Sequence, residues 1–329
     1  MEVTPVEVTT IRTSSLNVVL LFAPTIFLSA FLLFWCEPMV GKMMLPFLGG
    51  AAAVWITCLL FFQLMLLTGY GYAHALERYA KVRTQIVIHA AMMLAAVLFL
   101  PIHLSARPDE TASLHPALWL LGVLLRSVGI PFCIVSTTAP LLQNWLAKTR
   151  TVSGRDPYFL YAVSNAGSLL ALLAYPILIE PRFGVRIQSS GWFAGYAVLL
   201  MLVATAAVLV WTHANNGTAA EAVPETRSEA PSWNMRLYWL AAAFVPSGLM
   251  LAVTNHMLLN LASVPFLWVM PLALYLITFM IAFARRLHIS SGILSAIVPV
   301  ILLVLFPLVA VSQPVAGHSL KYVLGAHLA

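Results

Sequence analysis

Long apolar stretches follow one another along almost the whole chain and dictate what it can fold into. The sequence has 329 residues, of which 61% are hydrophobic and only 9% are charged. A helix needs about 20 apolar residues to cross a hydrocarbon core about 30 Å thick. We predict nine such spans, at 17–35, 51–72, 85–103, 117–135, 158–179, 191–212, 237–261, 264–284 and 291–312. The pattern predicts an all-α, polytopic transmembrane helical bundle and excludes a soluble protein.

The two ends of the chain carry further information about its membrane topology. The first apolar run is longer than the 7–15 residues typical of a signal peptide, and no small-residue cleavage site follows it, so we expect it to remain as an anchor. Residues 322–328 resemble the start of a tenth helix. We therefore expect the chain to be a fragment or a truncated gene product.

The distribution of Lys and Arg between the spans predicts the orientation. Eleven of these side chains fall on the side of the N-terminus and five on the opposite side, with one inside a span. Short cytoplasmic loops carry the excess of positive charge, so the N-terminus is predicted to be cytoplasmic and the protein to lie in the inner membrane. The same cations meet anionic lipid, which accounts for the net charge of +6 without a nucleic-acid partner.

A polar segment divides the chain into two membrane units. Residues 213–236 contain three glutamates and two prolines between apolar spans. We predict a cytoplasmic N-terminal tail at 1–16, a six-helix unit at 17–212, a cytoplasmic linker at 213–236 and a second, incomplete unit at 237–329. Six helices followed by a linker is the layout of the major facilitator superfamily, in which repeats create alternating access.

No catalytic, metal or cofactor motif stands out in the sequence. Cys36, Cys58 and Cys133 form no CxxC pair, and we interpret them as reduced thiols that pack between helices. The only G-x-G, at Gly69 and Gly71, follows an apolar helix and not a strand, so it does not indicate a nucleotide site. We expect no metal and no cofactor.

Charged residues near the membrane core are the first candidates for a site. Arg126 lies in the middle of the predicted fourth span, where an arginine must face protein, water or a partner. Glu37 and Lys42 lie at the outer ends of the first two spans. An ion pair of Glu37 with Lys42 or Arg126 that locks helices is the favoured interpretation, and a ligand site built from the same groups is the alternative.

Three polar residues near the outer end of the seventh span form a second candidate group. These are Asn255, His256 and Asn260, of which His256 and Asn260 are one helical turn apart. An interfacial cap is favoured over recognition of a substrate. No second histidine stands at the spacing that a metal would need.

Small residues in the fifth span are interpreted as a packing surface. Ser164, Gly167, Ser168 and Ala171 recur at helical spacing, which permits close contact between helices, and Asn165 can add an interhelical hydrogen bond. The segment 37–50 contains Pro38, Pro46 and three glycines. We expect it to form a bent, partly re-entrant connection and not a continuous helix.

Several motifs resemble a known family in the expected order. They are EPMVGKMMLPFLGG at 37–50, AVW at 53–55, GYGYAH at 69–74, STTAPLLQ at 136–143, DPYFLYA at 156–162, SNAGS at 164–168, EP at 180–181, ASVPFLWV at 262–269 and PL at 271–272. Together these stretches resemble the membrane region of bacterial fused major-facilitator/spermidine synthase proteins. Such proteins typically continue into a soluble aminopropyltransferase-like domain, and the glycine-rich turn and carboxylate cluster of that domain are not found in this sequence.

The resemblance implies a membrane-embedded domain of a spermidine synthase-like protein, which supports polyamine-related metabolism without catalysing it. Its partners would be the lipid bilayer and a soluble aminopropyltransferase-like domain. The first alternative is a major-facilitator-type transporter of a small solute. The second is a non-catalytic membrane assembly subunit.

Overall fold

Helices account for nearly all of the chain that the computed structural model describes, namely residues 5–49, 52–104, 114–148, 159–216, 231–260 and 265–282 with Gly292 and Ala296. Within these residues there are eight α-helices and no strand. The helices are α1 (Pro5–Leu48), α2 (Ala52–Tyr79), α3 (Val82–Ala96), α4 (116–148), α5 (Phe159–Arg182), α6 (Val185–Asn216), α7 (Trp233–Asn260) and α8 (Pro265–Ala282). The predicted all-α helical bundle is confirmed.

Seven of the described helices, α1 to α7, are long and apolar enough to cross a membrane. They correspond to the first seven predicted spans and agree with a multi-pass membrane protein. In α8 the side chains are described for the shorter apolar stretch Val269–Ile281. Apart from Gly292 and Ala296, the ninth predicted span and the start of a tenth helix lie outside the described residues.

Helix α1 is continuous through the segment that was expected to form a re-entrant connection, so that expectation is wrong. It runs to Leu48 with Pro24, Pro38 and Pro46 inside it, and only Gly49 leaves the helix, with a φ of 71°. A proline removes one backbone hydrogen bond but need not end a helix when neighbouring helices support it. That support is present, because every residue from 36 to 41 is buried.

Helix α1 is also longer than a single crossing requires. From Val18 to Leu48 it has 31 residues, which extend about 46 Å at the usual rise, compared with a hydrocarbon core of about 30 Å. If Val18 marks the inner boundary, Glu37 stands about 28 Å along the axis and therefore near the outer boundary. The remaining turns either tilt within the bilayer or extend beyond it.

Helices α4 and α5 each contain a π-helical turn beside a proline. In α4, Pro116–Leu124 is followed by the π turn Leu125–Gly129 and then by Ile130–Lys148, with Pro131 just after the π turn. In α5 the π turn is Tyr175–Ile179 and contains Pro176. A shift of the hydrogen-bond register makes room for a ring that would clash with a carbonyl in a regular helix. Helix α4 therefore continues well beyond the predicted end at 135.

The chain forms two compact units, Met1–Glu225 and Thr226–Ala329, whose boundary falls in the segment predicted as a linker. In the second unit α7 packs on α8, and the hydroxyl groups of Ser247 and Tyr275 lie 3.4 Å apart. In the first unit α1 packs most extensively against α5, and α2 packs most extensively against α4. Helix α1 also contacts α4 and α6, so it occupies the centre of this unit.

The first unit has two halves, α1–α3 and α4–α6, and the contacts between them follow a symmetric pattern. In this pattern α4, α5 and α6 correspond to α1, α2 and α3. The α1–α5 interface then corresponds to the α4–α2 interface, and the α1–α6 interface corresponds to the α4–α3 interface. All four of these interfaces are present. Because successive membrane helices alternate in direction, the two halves would be related by an inverted repeat.

Glycines permit the closest helix contacts of the first unit. A Cβ atom on Gly167 of α5 would collide with the backbone carbonyl of Phe27 in α1. A Cβ atom on Gly69 of α2 would lie 2.8 Å from the carbonyl oxygen of Cys133 in α4. Such approaches increase van der Waals contact, which drives helix association in lipid.

Replacing Gly167 by valine should therefore destabilise the first unit. We expect the free energy of unfolding to fall by about 1–3 kcal/mol, because the added methyl groups force α5 away from α1. The measurement is thermal unfolding of the purified protein in detergent. Gly71→Val is the matched control, since a Cβ at Gly71 meets no atom within 4 Å. Equal stability of the two variants would contradict the packing argument.

Candidate functional site

Glu37 is the most buried carboxylate among the residues that the structure describes. It lies on α1 and is only 7% exposed, between Cys36 and Pro38, which are also buried. Among the described residues no cation forms an ion pair with it. A carboxylate at the centre of a membrane unit is costly to bury, so it marks a functional position more often than a surface carboxylate does.

The favoured ion pair of Glu37 with Lys42 or Arg126 is not formed. The Nζ atom of Lys42 lies 3.0 Å from Oε1 of Glu180 instead, and the two side chains are 28% and 27% exposed. Because α1 continues as a helix, residues 37 and 42 are rotated about 140° from each other around its axis. The ion pair thus joins the outer ends of α1 and α5 and leaves Glu37 on another face.

Two buried polar side chains accompany the Lys42–Glu180 pair at the outer end of the unit. Tyr175 lies in the π turn of α5, close to Glu180 and to the side chain of Gln188 in α6. Gln188 donates from Nε2 to the carbonyl oxygen of Phe183 at 2.8 Å. The Tyr175 hydroxyl and Gln188 Oε1 each have no hydrogen-bond partner among the described residues.

Arg126 lies in the π turn of α4, on an exposed part of the first unit. It makes no hydrogen bond or ion pair with another described residue. Because α4 continues to Lys148, Arg126 stands ten residues from the outer end of the helix and not at its middle. That distance is about 15 Å along the axis, which still places the guanidinium at membrane depth.

The polar group on α7 belongs to the second unit. Asn255 and His256 are half-buried beside the buried Thr254, and His256 has an interaction partner. The side chain of Asn260 lies outside what the structure describes. This group therefore stays a prediction, as an interfacial cap or as a recognition site.

One of the small residues of α5, Gly167, lies at the contact with α1. Gly167, Ser168 and Ala171 are buried, and the Ser168 hydroxyl donates to the carbonyl oxygen of Ser164 at 3.2 Å. Asn165 is half-buried and makes no hydrogen bond to another described helix. Within this group of small residues, Gly167 is the one whose small size permits the close approach of α5 to α1, which agrees with a packing surface.

A buried polar network that sequence reasoning missed joins α2, α3 and α4. Gln85 accepts a hydrogen bond from Trp145 Nε1 at 3.0 Å and donates from Nε2 to the carbonyl oxygens of Leu76 and Ala80 at 3.2 and 2.9 Å. One turn further along α3, His89 Nε2 lies 3.3 Å from the hydroxyl of Thr138. The network occupies the ends of these helices that are predicted to be cytoplasmic.

One feature of the sequence could have revealed this network. Gln85 and His89 stand four residues apart at the start of an apolar helix, so they share one face. Polar residues at that spacing inside a span usually face protein and not lipid. Their partners come from α4, 49 to 60 residues further along the chain, and no local pattern indicates that pairing.

The structure gives two facts about possible metal ligands and thiols in the part of the chain that it describes. It contains no group of three His, Cys, Asp or Glu side chains that could hold a metal ion. Cys36, Cys58 and Cys133 are free thiols.

Comparison with known protein families, with curated proteins and with solved structures finds no match to this chain.

Proposed function

We propose that this chain is the membrane-embedded domain of a spermidine synthase-like protein, related to the fused major-facilitator/spermidine synthase family. In this proposal it holds or supplies a soluble aminopropyltransferase-like domain, and its own residues catalyse no aminopropyl transfer. The observation that carries the proposal is that the motifs resembling that family contact one another in pairs.

Three such contacts connect distant motifs. Lys42, from the motif at 37–50, pairs with Glu180 from the motif at 180–181. Gly41 of the first motif packs against the ring of Trp55, in the motif at 53–55. A chance resemblance would not be expected to fall on residues that meet across helix interfaces.

The third contact joins the motifs at 69–74 and 136–143. The Thr137 hydroxyl donates to the carbonyl oxygen of Gly69 at 3.2 Å, and Gly69 has no room for a side chain beside Ser136. These residues therefore set the distances between α2 and α4, as Lys42 and Glu180 do between α1 and α5. Their chemistry is that of helix assembly, which agrees with a membrane domain that performs no catalysis.

Transport of a small solute is the second candidate function, and two observations favour it. The helix pairing of the first unit repeats on exchange of its halves, as in carriers built from inverted repeats. Glu37 is a buried carboxylate without an ionic partner among the described residues. An intramembrane ionisable group of this kind is typical of substrate and proton pathways. A non-catalytic assembly subunit is the third candidate.

We propose that the protein lies in the inner membrane with its N-terminus in the cytoplasm, because the excess of Lys and Arg falls on that side. Ser228→Cys in the predicted linker and Ser113→Cys after the third span test this in a protein whose native cysteines are replaced by serine. A membrane-impermeant maleimide should label intact spheroplasts at position 113 only, and position 228 only after lysis. The reverse pattern would contradict the orientation.

Deletion of the gene should change polyamine levels if the first proposal is correct. We expect the spermidine-to-putrescine ratio of the host to fall, and expression of the chain together with its neighbouring genes to restore it. The purified chain alone should transfer no aminopropyl group, because it lacks the required carboxylate cluster. The measurement is mass spectrometry of cellular polyamines, and an unchanged ratio in the deletion strain would overturn the proposal.

Transport makes a different prediction for the two intramembrane charges. In proteoliposomes, Glu37→Gln and Arg126→Gln should each abolish solute uptake while the protein still folds, because each removes a charge that would bind the solute or a proton. Uptake of labelled spermidine and of a small dicarboxylate is measured in parallel.

Two matched variants serve as controls for these substitutions. Arg186→Gln changes an exposed arginine at the start of α6, and Glu225→Gln changes a glutamate of the predicted linker. Both should transport like the wild type. Wild-type uptake by the Glu37 and Arg126 variants would exclude transport through these residues, and loss of their expression would instead favour an assembly role.

A further inference from the structure

Two neighbouring rings, on α2 and α3, each carry a buried polar atom that has no hydrogen-bond partner. His89 on α3 is 1% exposed, and its Nδ1 atom has no hydrogen-bond partner. The hydroxyl group of Tyr72 on α2 is also buried and unpaired. The centroids of the two rings are 6.4 Å apart. Buried polar groups in folded proteins are nearly always paired, so this coincidence needs an explanation.

The hydrogen bonds of Thr138 determine which proton His89 carries. The Thr138 hydroxyl lies 3.1 Å from the carbonyl oxygen of Ile134 and 3.3 Å from His89 Nε2. It has one proton, which a threonine inside a helix commonly donates to the carbonyl four residues back. The hydroxyl oxygen then accepts a hydrogen bond from His89, so the proton of the neutral imidazole is on Nε2. Nδ1 is left as an acceptor.

The neighbouring side chains leave that acceptor unpaired. The Trp145 indole meets the His89 ring edge-on at 6.4 Å, but its N–H donates to Gln85. Cys133 lies beside Tyr72, and a thiol is a weak donor. Of the two rings that contact His89, Tyr72 is therefore the one that carries an unpaired donor.

We propose that Tyr72 and His89 bind one water molecule between α2, α3 and α4. The water accepts a hydrogen bond from the Tyr72 hydroxyl and donates one to His89 Nδ1. Buried waters are typically held by two to four polar groups of this kind. A chain of hydrogen bonds then runs from Tyr72 through the water, His89 and Thr138 to the carbonyl oxygen of Ile134. The site does not depend on the function proposed above.

The site also explains why a histidine stands inside an apolar helix face. With the water bound, every polar atom of the imidazole has a partner, and His89 connects Tyr72 on α2 to Thr138 on α4. The chemical class of the ligand is thus a single small molecule that both donates and accepts hydrogen bonds.

Nitrogen-15 NMR of the histidine-labelled full chain in lipid nanodiscs tests the site, with His89→Asn used to assign the resonances. We expect His89 to be neutral with its proton on Nε2, and Nδ1 to show a correlation with water protons. Protonation on Nδ1 would overturn the proposal, and so would a direct correlation of Nδ1 with the Tyr72 hydroxyl. These measurements need no variant of Tyr72.

Substitution of Tyr72 adds an independent test. Tyr72→Phe keeps the ring but removes the hydroxyl donor. The nitrogen-15 resonance of His89 Nδ1 should therefore shift towards the position that is typical of a nitrogen accepting a weaker hydrogen bond. Tyr70→Phe is the matched control, because Tyr70 is on the same helix and is 54% exposed. It should leave the His89 resonances in place. An unchanged Nδ1 resonance in the Tyr72 variant would contradict the proposal.

Discussion

The close approach of α1 and α5 is the constraint on which the six-helix unit depends. In a bilayer, apolar side chains gain little by exchanging contacts with lipid for contacts with another helix. Helices therefore associate through van der Waals packing and polar contacts. Gly167 allows the backbone of α5 to reach the Phe27 carbonyl, and fifteen residues further along α1 the Lys42–Glu180 pair joins the same two helices. These contacts run in the same order on both helices, so α1 and α5 are parallel. A wider spacing would lose both the close packing at Gly167 and the Lys42–Glu180 ion pair.

Side-chain donors that reach the backbone of another helix add a second kind of support. Ser29 donates to the carbonyl oxygen of Val135 at 3.0 Å, Trp192 to that of Leu32 at 2.8 Å, and Tyr196 to that of Met93 at 2.8 Å. A backbone carbonyl has a second lone pair, so it can accept such a bond without losing its helical one. In this way α1 is joined to α4 and to α6, and α3 is joined to α6.

The helices could be predicted from the sequence, but their ends and partners could not. Hydropathy shows where a chain can cross a bilayer, since the bilayer thickness sets the length of the apolar run. It does not show that α1 continues past Pro38, because that depends on neighbouring helices which bury the proline. The Lys42–Glu180 pair and the contacts of Gln85 depend on distances between helices, which the hydrophobic periodicity of the sequence does not reveal. The prediction of Glu37 as an ion-pair partner failed for the same reason.

The distribution of carboxylates separates the two leading functions. No Asp or Glu follows Glu229 in the sequence, so the helices of the second unit can offer a cationic amine no ionic partner. Among the described residues of the first unit Glu37 is the single buried carboxylate, and the positive charge of Arg126 would repel a polyamine that approached it. A polyamine carries several positive charges, and binding it at membrane depth requires several carboxylates to offset the loss of hydration. Under the first proposal the polyamine chemistry would therefore belong to the soluble domain, and under the second a solute that crosses through these helices should be neutral or anionic.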